Sequence, residues 1–387
     1  MPSTPVIWQG VIDVNDPQNE AGSQFEPRIT ELRDGRILVS WQDTGDNYEN
    51  RVNADFVGQL FEMDGTPIGN PFLMNTIFNG GSTYPNSTDE RGHDVIAMPD
   101  GGWMIVYEDD NITSTAIRAE RFDANGVLTG NFTLATGSDA NGDNVSDPSV
   151  ATNSGGDWVV TFSRQDGGGT DTQGFVFDNN TFWPLDDFGS RSEENWSTNS
   201  STAPNDVAYL SNGNIVTVNE DYAGFSGHTR INVQVNEPDG TTVSSFLTET
   251  GTGVGIFRMD FPRVSDIPGG GFVVSYLFTN GSTTAVRAAV YANDGSTVVN
   301  RFSVDSGGTY LFSDVVGLND GFMVAWEEGG QLHFQRFDDN GDTVGAERTF
   351  TAINPGHTNS SSFEAFDMIL AQDGRVMVTW VENSQGA

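Results

Sequence analysis

The chain has 387 residues, with 54 acidic side chains against 17 basic ones, a formal net charge of −37 at pH 7 and no cysteine. All 17 basic residues are arginine. This composition repels nucleic-acid phosphates and anionic membranes and stays soluble where salt screens self-repulsion. The missing thiols and lysines exclude disulfides, thiolate metal sites, cysteine nucleophiles, Schiff bases and a phosphate-loop lysine.

The chain opens on Met1-Pro2-Ser3-Thr4-Pro5 rather than a charged and apolar leader, and no apolar run is long enough to span a membrane. Val6–Val14 then reads as an extended segment with no repeat of its own. Beyond it a pattern recurs seven times, with turn glycines at Gly35, Gly101, Gly156, Gly213, Gly270, Gly321 and Gly374, spaced 51 to 66 residues apart. After each glycine comes a short β-branched or aromatic run, such as Ile37–Trp41, Trp103–Tyr107, Trp158–Phe162, Phe272–Tyr276 and Val376–Trp380. Runs of this length and composition, bounded by glycine, predict strands buried on both faces. No stretch predicts a long amphipathic helix.

A second turn follows in each repeat but the last: Asp64-Gly65, Asn125-Gly126, Asn179-Asn180, Asp239-Gly240, Asp294-Gly295 and Asn340-Gly341. These dipeptides predict two-residue hairpins in which both turn residues take positive φ. Each repeat is then a four-stranded meander with its variable loop between the second and third strands. Sequential meanders of this size predict an all-β, seven-bladed β-propeller with four-stranded antiparallel blades.

The predicted units are residues 18–80, 81–137, 138–195, 196–250, 251–304, 305–353 and 354–387, within one domain spanning 1–387. The last unit stops short of a third strand, so residues 1–17, through the Val6–Val14 segment, are expected to join the C-terminal blade and close the ring. The segments Asp320–Trp326, Phe334–Gly345, Arg118–Gly130 and Gly269–Tyr276 resemble propeller-type repeats of large secreted bacterial surface proteins of the RTX class. That resemblance implies a propeller fold, type I export, an extracellular or cell-surface place and association with calcium. The chain lacks the glycine- and aspartate-rich nonapeptide array of the class.

Seven residues before each turn glycine stands one alignable position: Arg28, Asp94, Ser149, Asp206, Arg263, Asp314 and Asp367. If these lie at one mouth of a central channel, four carboxylates and two guanidinium groups gather there, with His93 and Asn205 one residue earlier in their repeats. Three readings follow. The charges bond inter-blade backbone; or aspartates with Asn205 hold a cation, calcium above all, which needs six to eight oxygens; or Arg28 and Arg263 clamp an anionic substrate while His93, Tyr222 or His228 moves protons.

His228 keeps company with Glu220, Asp221, Tyr222 and Arg230. A separate segment, Asp139, Asn141, Asp143 and Asp147, alternates acids and amides as loop calcium sites do, without the glycine and final glutamate of the helix-loop-helix version.

The leading expectation is therefore a secreted, monomeric glycan-binding or adhesion-type module associated with calcium, itself part of a longer chain, binding polysaccharide and not nucleic acid. Aromatics on the loop face, Tyr84, Trp183, Trp196, Tyr222, Phe225 and Tyr310, are expected to stack on sugar rings. The alternatives are a lyase or hydrolase of uronate or sulfated glycans, and a structural spacer.

Overall fold

A computed structural model describes residues 12, 14, 24–44, 55–75, 88–111, 114–137, 143–166, 169–178, 186–191, 205–222, 229–248, 257–281, 283–351 and 366–381. They form two compact units, one within residues 149–361 and the other within residues 6–148 and 362–381. No helix among them is long and apolar enough to cross a membrane.

In the 6–148 unit one antiparallel sheet runs in the order β1 (Gln24–Glu31), β2 (Ile37–Asp43), β3 (Asp55–Phe61), β4 (Pro67–Leu73). A second runs β5 (Thr88–Ala97), β6 (Trp103–Asn111), β7 (Ser114–Phe122), β8 (Leu128–Thr136). The 149–361 unit holds four more sheets. The first is β9 (Asn144–Thr152, its start in the other unit), β10 (Trp158–Asp166), β11 (Gly169–Phe177) and β12 (Asp186–Arg191). Next come β13 (Asn205–Tyr209), β14 (Ile215–Tyr222), β15 (Thr229–Asn236) and β16 (Thr242–Leu247). The third is β17 (Phe257–Asp266), β18 (Phe272–Asn280), β19 (Thr283–Tyr291) and β20 (Thr297–Ser306). The fourth is β21 (Tyr310–Leu318), β22 (Gly321–Glu328), β23 (Gln331–Phe337) and β24 (Thr343–Thr351).

These are β-propeller blades in an all-β chain. The expectation of seven full blades is corrected: among the described residues six sheets have four strands, and the seventh repeat is a two-stranded sheet of β25 (Phe366–Leu370) and β26 (Val376–Trp380). The expected closing strand over Val6–Val14 falls almost wholly outside the described residues. Ile12 and Val14 are described and neither is in a strand, although Val14 packs against the core cluster of Ile29, Val39 and Trp41 that Ile369 and Met377 also cover.

Burial follows strand order. The second strands β2, β18 and β22 are buried along seven consecutive residues, whereas the fourth strands β4, β16 and β20 alternate between exposed and half-buried residues with none buried. Second strands are therefore covered on both faces, and their continuous apolar runs supply the core between sheets. Within the larger unit, Val216 and Val218 of β14 pack with Val274 and Tyr276 of β18, and Val273 and Leu277 of β18 pack with Val324 and Trp326 of β22. Each such side chain withdrawn from water contributes roughly 1.5–3 kcal/mol.

All seven turn glycines take left-handed backbone, with φ between 84° and 129°. The hairpins before the fourth strands differ from expectation. Only the glycine of each described dipeptide has positive φ, and its amide donates to the carbonyl three residues earlier, as Gly65 does to Glu62 and Gly126 to Asp123. This is a three-residue loop closed by a left-handed glycine, not a two-residue turn. An aspartate side chain holds it: Asp64 accepts from Thr66 N, Asp239 from Thr241 N, Asp294 from Ser296 N, and Asp123 from both Asn125 N and Val127 N. These bonds favour the ionised form and lower the carboxyl pKa at each of the four. Asn179-Asn180 lies outside the described residues.

Candidate functional site

The seven aligned residues all lie on the first strand of their sheets. Arg28 stands opposite Ser40, Asp94 opposite Val106, Asp206 opposite Val218, Arg263 opposite Ser275, Asp314 opposite Ala325 and Asp367 opposite Thr379, while Ser149 lies in β9. Each unit holds part of the row, and within each unit its members bond backbone.

In the larger unit Asp206 accepts from Val264 N at 2.8 Å through one oxygen, and from Ser149 Oγ at 3.0 Å and Val207 N at 2.9 Å through the other. Burial pushes the Asp206 carboxyl up, against the opposing pull of the Arg263 charge and these donors. Arg263 donates to Pro262 O at 2.9 Å, and Asp314 accepts from Val315 N at 2.7 Å.

In the smaller unit the pattern returns. Asp367 accepts from Ile29 N at 2.8 Å and from Met368 N at 3.0 Å, and Asp94 from Val95 N at 2.8 Å. Arg28 donates from Nε to His93 O at 3.0 Å and from a terminal nitrogen to Pro27 O at 3.4 Å. Asp206 and Asp367 thus perform the same act: each takes the amide one residue beyond an arginine of the row on a neighbouring sheet. A carboxylate at this position fastens one first strand to another.

The position one residue earlier is a plug between sheets. His93 is fully buried, its Nε2 2.9 Å from Ser40 Oγ and its ring 4.4 Å from that of Phe56. Burial, with the Arg28 charge adding to it, holds the His93 pKa well below the usual histidine range. The His93 imidazole, expected as a proton carrier, is sealed from solvent here and packs between sheets. Asn205 plugs the equivalent place in the larger unit. Its Oδ1 accepts from Thr161 Oγ1 at 2.6 Å and its amide nitrogen lies 3.5 Å from Ser163 Oγ. That carbonyl oxygen, expected as a calcium ligand, is thereby engaged by a hydroxyl.

Two residues before the row, the backbone is left-handed in four repeats: Glu26 (φ 47°), Gly92 (φ 47°), Asp147 (φ 49°) and Phe261 (φ 55°). Three of these precede proline, where a non-glycine residue at positive φ is strained. A carboxylate accepts the amide of such a bulge in three cases. Glu26 takes Gly92 N at 3.0 Å, Glu108 takes Asp147 N at 3.4 Å and Glu220 takes Phe261 N at 2.8 Å. Sequence reasoning missed Glu26 and Glu108 in this role and grouped Glu220 with a proton-transfer cluster. The available signal was a proline inside a strand pattern, which marks a bulge.

Of that cluster, Asp221 pairs with Arg230 at 2.9 Å. Tyr222 ends β14 opposite Thr229, and His228 lies outside the described residues. In the proposed loop calcium site Asp139 and Asn141 also lie outside them. Asp143 and Asp147 are described, and Asp147 accepts from Ser146 Oγ at 3.3 Å. Among the described residues no three acidic or imidazole side chains are grouped to hold a metal ion.

Tyr310, expected as an exposed stacking platform, is instead 9% exposed, with its hydroxyl donating to Asp305 at 3.1 Å. Tyr84, Trp183, Trp196 and Phe225 lie outside the described residues.

No protein-family model matches the sequence, and no curated protein matches it. Among solved structures, the chain is similar to an α-L-arabinofuranosidase of Fusarium graminearum seen with arabinobiose, at 13% identity and a TM-score of 0.48, over 87% of this chain and 96% of that one. A Dyadobacter fermentans protein of unknown function matches at 10% identity and a TM-score of 0.47, over 86% of this chain and 95% of that one. An ulvan lyase matches at 10% identity and a TM-score of 0.48, over 84% of this chain and 80% of that one. Likenesses at this level say nothing of the chemistry this chain performs.

Proposed function

We propose that the chain is a glycan-binding, adhesion-type propeller module of the cell exterior, associated with calcium, and that its row of charged residues is scaffold rather than catalytic centre. The observation that carries this reading is the use of the row: Asp206, Asp367, Asp94 and Asp314 accept main-chain amides, and Arg28 and Arg263 donate to main-chain carbonyls. Groups so engaged fix strands; a substrate clamp needs them turned toward a ligand. Binding then falls to the connections at the end where each first strand begins. The longest intervals between consecutive strands, residues 44–54, 74–87, 192–204 and 352–365, each adjoin a strand end of this kind within its own sheet. Loops of variable length on a rigid sheet scaffold are the usual carriers of recognition.

The resemblance of the repeats to RTX-class surface proteins supports export, and the strong acidity supports cation association. Calcium is assigned to the Asp139–Asp147 segment, which runs into the start of β9, because the row spends carboxylate oxygens on amides.

Affinity electrophoresis against neutral, uronate and sulfated polysaccharides, with calcium or with chelator, tests the proposal. Retardation by at least one polysaccharide, with no unsaturated or reducing-end products, is expected, together with a calcium-dependent rise in melting temperature. A ligand preferring the native state raises stability by mass action. Turnover of a glycan that is abolished by Arg263→Ala overturns the scaffold assignment, and no retardation by any polysaccharide overturns the binding role.

A further inference from the structure

Three sheet junctions show the same construction with different side chains. The residue before the row reaches onto the second strand of the preceding sheet, and for His93 the residue it meets, Ser40, stands opposite that sheet's own row residue, Arg28. In one unit the pair is His93 on Ser40; in the other it is Asn205 on Thr161. The junction of β17–β20 with β21–β24 puts Ser313 and Ser275 in these places, since Ser275 stands opposite Arg263 and Ser313 precedes Asp314.

Neither hydroxyl has a hydrogen-bond partner in the protein, and both are buried, Ser275 at 0% and Ser313 at 3% exposure. Their facing is fixed by neighbours. Val273 and Leu277 flank Ser275 on the same face of β18, and both pack against Val324 and Trp326 of β22. Ser313 stands directly opposite Trp326 across the β21–β22 pair, so the two side chains share a face. Trp326 Nε1 is also buried without a partner.

Two hydroxyls and one indole N–H thus belong to one buried junction, where serine replaces the far larger histidine or asparagine used elsewhere. Unsatisfied buried donors are rare in native proteins, because each carries a desolvation penalty.

We infer that this junction binds one buried water molecule, which accepts from the Trp326 indole N–H and bridges Ser275 Oγ and Ser313 Oγ by donating to at least one of these hydroxyls. Water makes two to four hydrogen bonds in such places and satisfies both hydroxyls where a serine side chain is too short to reach its opposite number. The inference is independent of the glycan-binding role.

A high-resolution crystal structure of the whole chain tests it. A solvent peak within about 3.2 Å of both hydroxyls is expected; no peak, with the hydroxyls bonded to main-chain carbonyls, overturns the proposal. Thermal denaturation of Ser275→Ala, Ser313→Ala and the double variant gives a second readout. A shared water makes the double loss in melting temperature clearly smaller than the sum of the single losses, and strictly additive losses overturn it. Ser313→Asn, which copies the asparagine key, is expected to displace the water and raise the melting temperature by a few degrees, with no peak remaining in its crystal structure. A lower melting temperature with the peak retained counts against the assignment.

Discussion

The plug at His93 and the plug at Asn205 occupy the same strand position in the two units, yet they differ in what they make each unit sensitive to. Asn205 satisfies its neighbours with an amide that has no charge to gain. His93 does the same work with a ring that titrates near neutrality when free and is held neutral here by burial and by Arg28. Its ring meets the Ser40 hydroxyl at Nε2, packs on Phe56 and stands opposite Tyr107 across the β5–β6 pair, and Nδ1 is buried without a partner. The Asn205 plug thus carries no titratable group of its own, whereas the His93 plug does.

Removing the plugs should give the largest effects. His93→Ala is expected to cost about 3 kcal/mol, because it leaves a cavity and an unsatisfied Ser40 hydroxyl. Asn205→Ala, a smaller deletion, is expected to cost about 1–3 kcal/mol, chiefly through Thr161. Chemical denaturation followed by tryptophan fluorescence checks both; equal losses would mean that ring volume contributes little. Asp206→Ala is expected to cost about 2–3 kcal/mol in the same assay, since Val264 N and Ser149 Oγ lose their acceptor.

A pH series sharpens the contrast. Because the folded His93 pKa lies below its unfolded value, its contribution is intact above about pH 6.5 and is lost as pH falls below that, when only the unfolded chain takes up the proton. The expected slope approaches about 1.4 kcal/mol per pH unit. His93→Asn, which installs the other unit's key, should flatten the slope between pH 6.5 and 5. An unchanged slope would show that another group is responsible.

The smallest effect belongs to the exposed turn aspartates. Asp123, its pKa lowered by two amides, stabilises above its unfolded value near about pH 3.9, and this is lost as pH falls through the folded value. Asp123→Asn should lower neutral stability slightly and leave stability below the folded value unchanged, so that the acid dependence becomes slightly shallower, as read by circular dichroism.

What the sequence disclosed and withheld follows from the range of the forces involved. Turn glycines are legible because left-handed backbone is a local demand that few other residues meet, and Gly35 through Gly374 all sit there. The hairpin geometry was misjudged because a left-handed glycine serves both a two-residue turn and a three-residue loop, and the dipeptide does not distinguish them. The row was legible as a set of first-strand positions. Its partners were not: Asp206 spends its oxygens on an amide 58 residues away, and Asp367 on one 338 residues away. His93 read as mouth chemistry because a histidine beside a charged position looks the same in sequence whether it faces water or a neighbouring sheet. The seventh repeat carries two strand runs before residue 381, and two strands are what the structure describes.

The differing plugs also bear on how a repetitive chain avoids assembling in the wrong order. Repeats that resemble one another in strands and turns are prone to exchange neighbours during folding. A histidine made for one serine, an asparagine made for a threonine, and a serine facing a serine give each junction its own identity. Shuffling modules within this chain would bring a histidine against the wrong acceptor, so blades transplanted into an artificial array should be moved as matched pairs rather than singly.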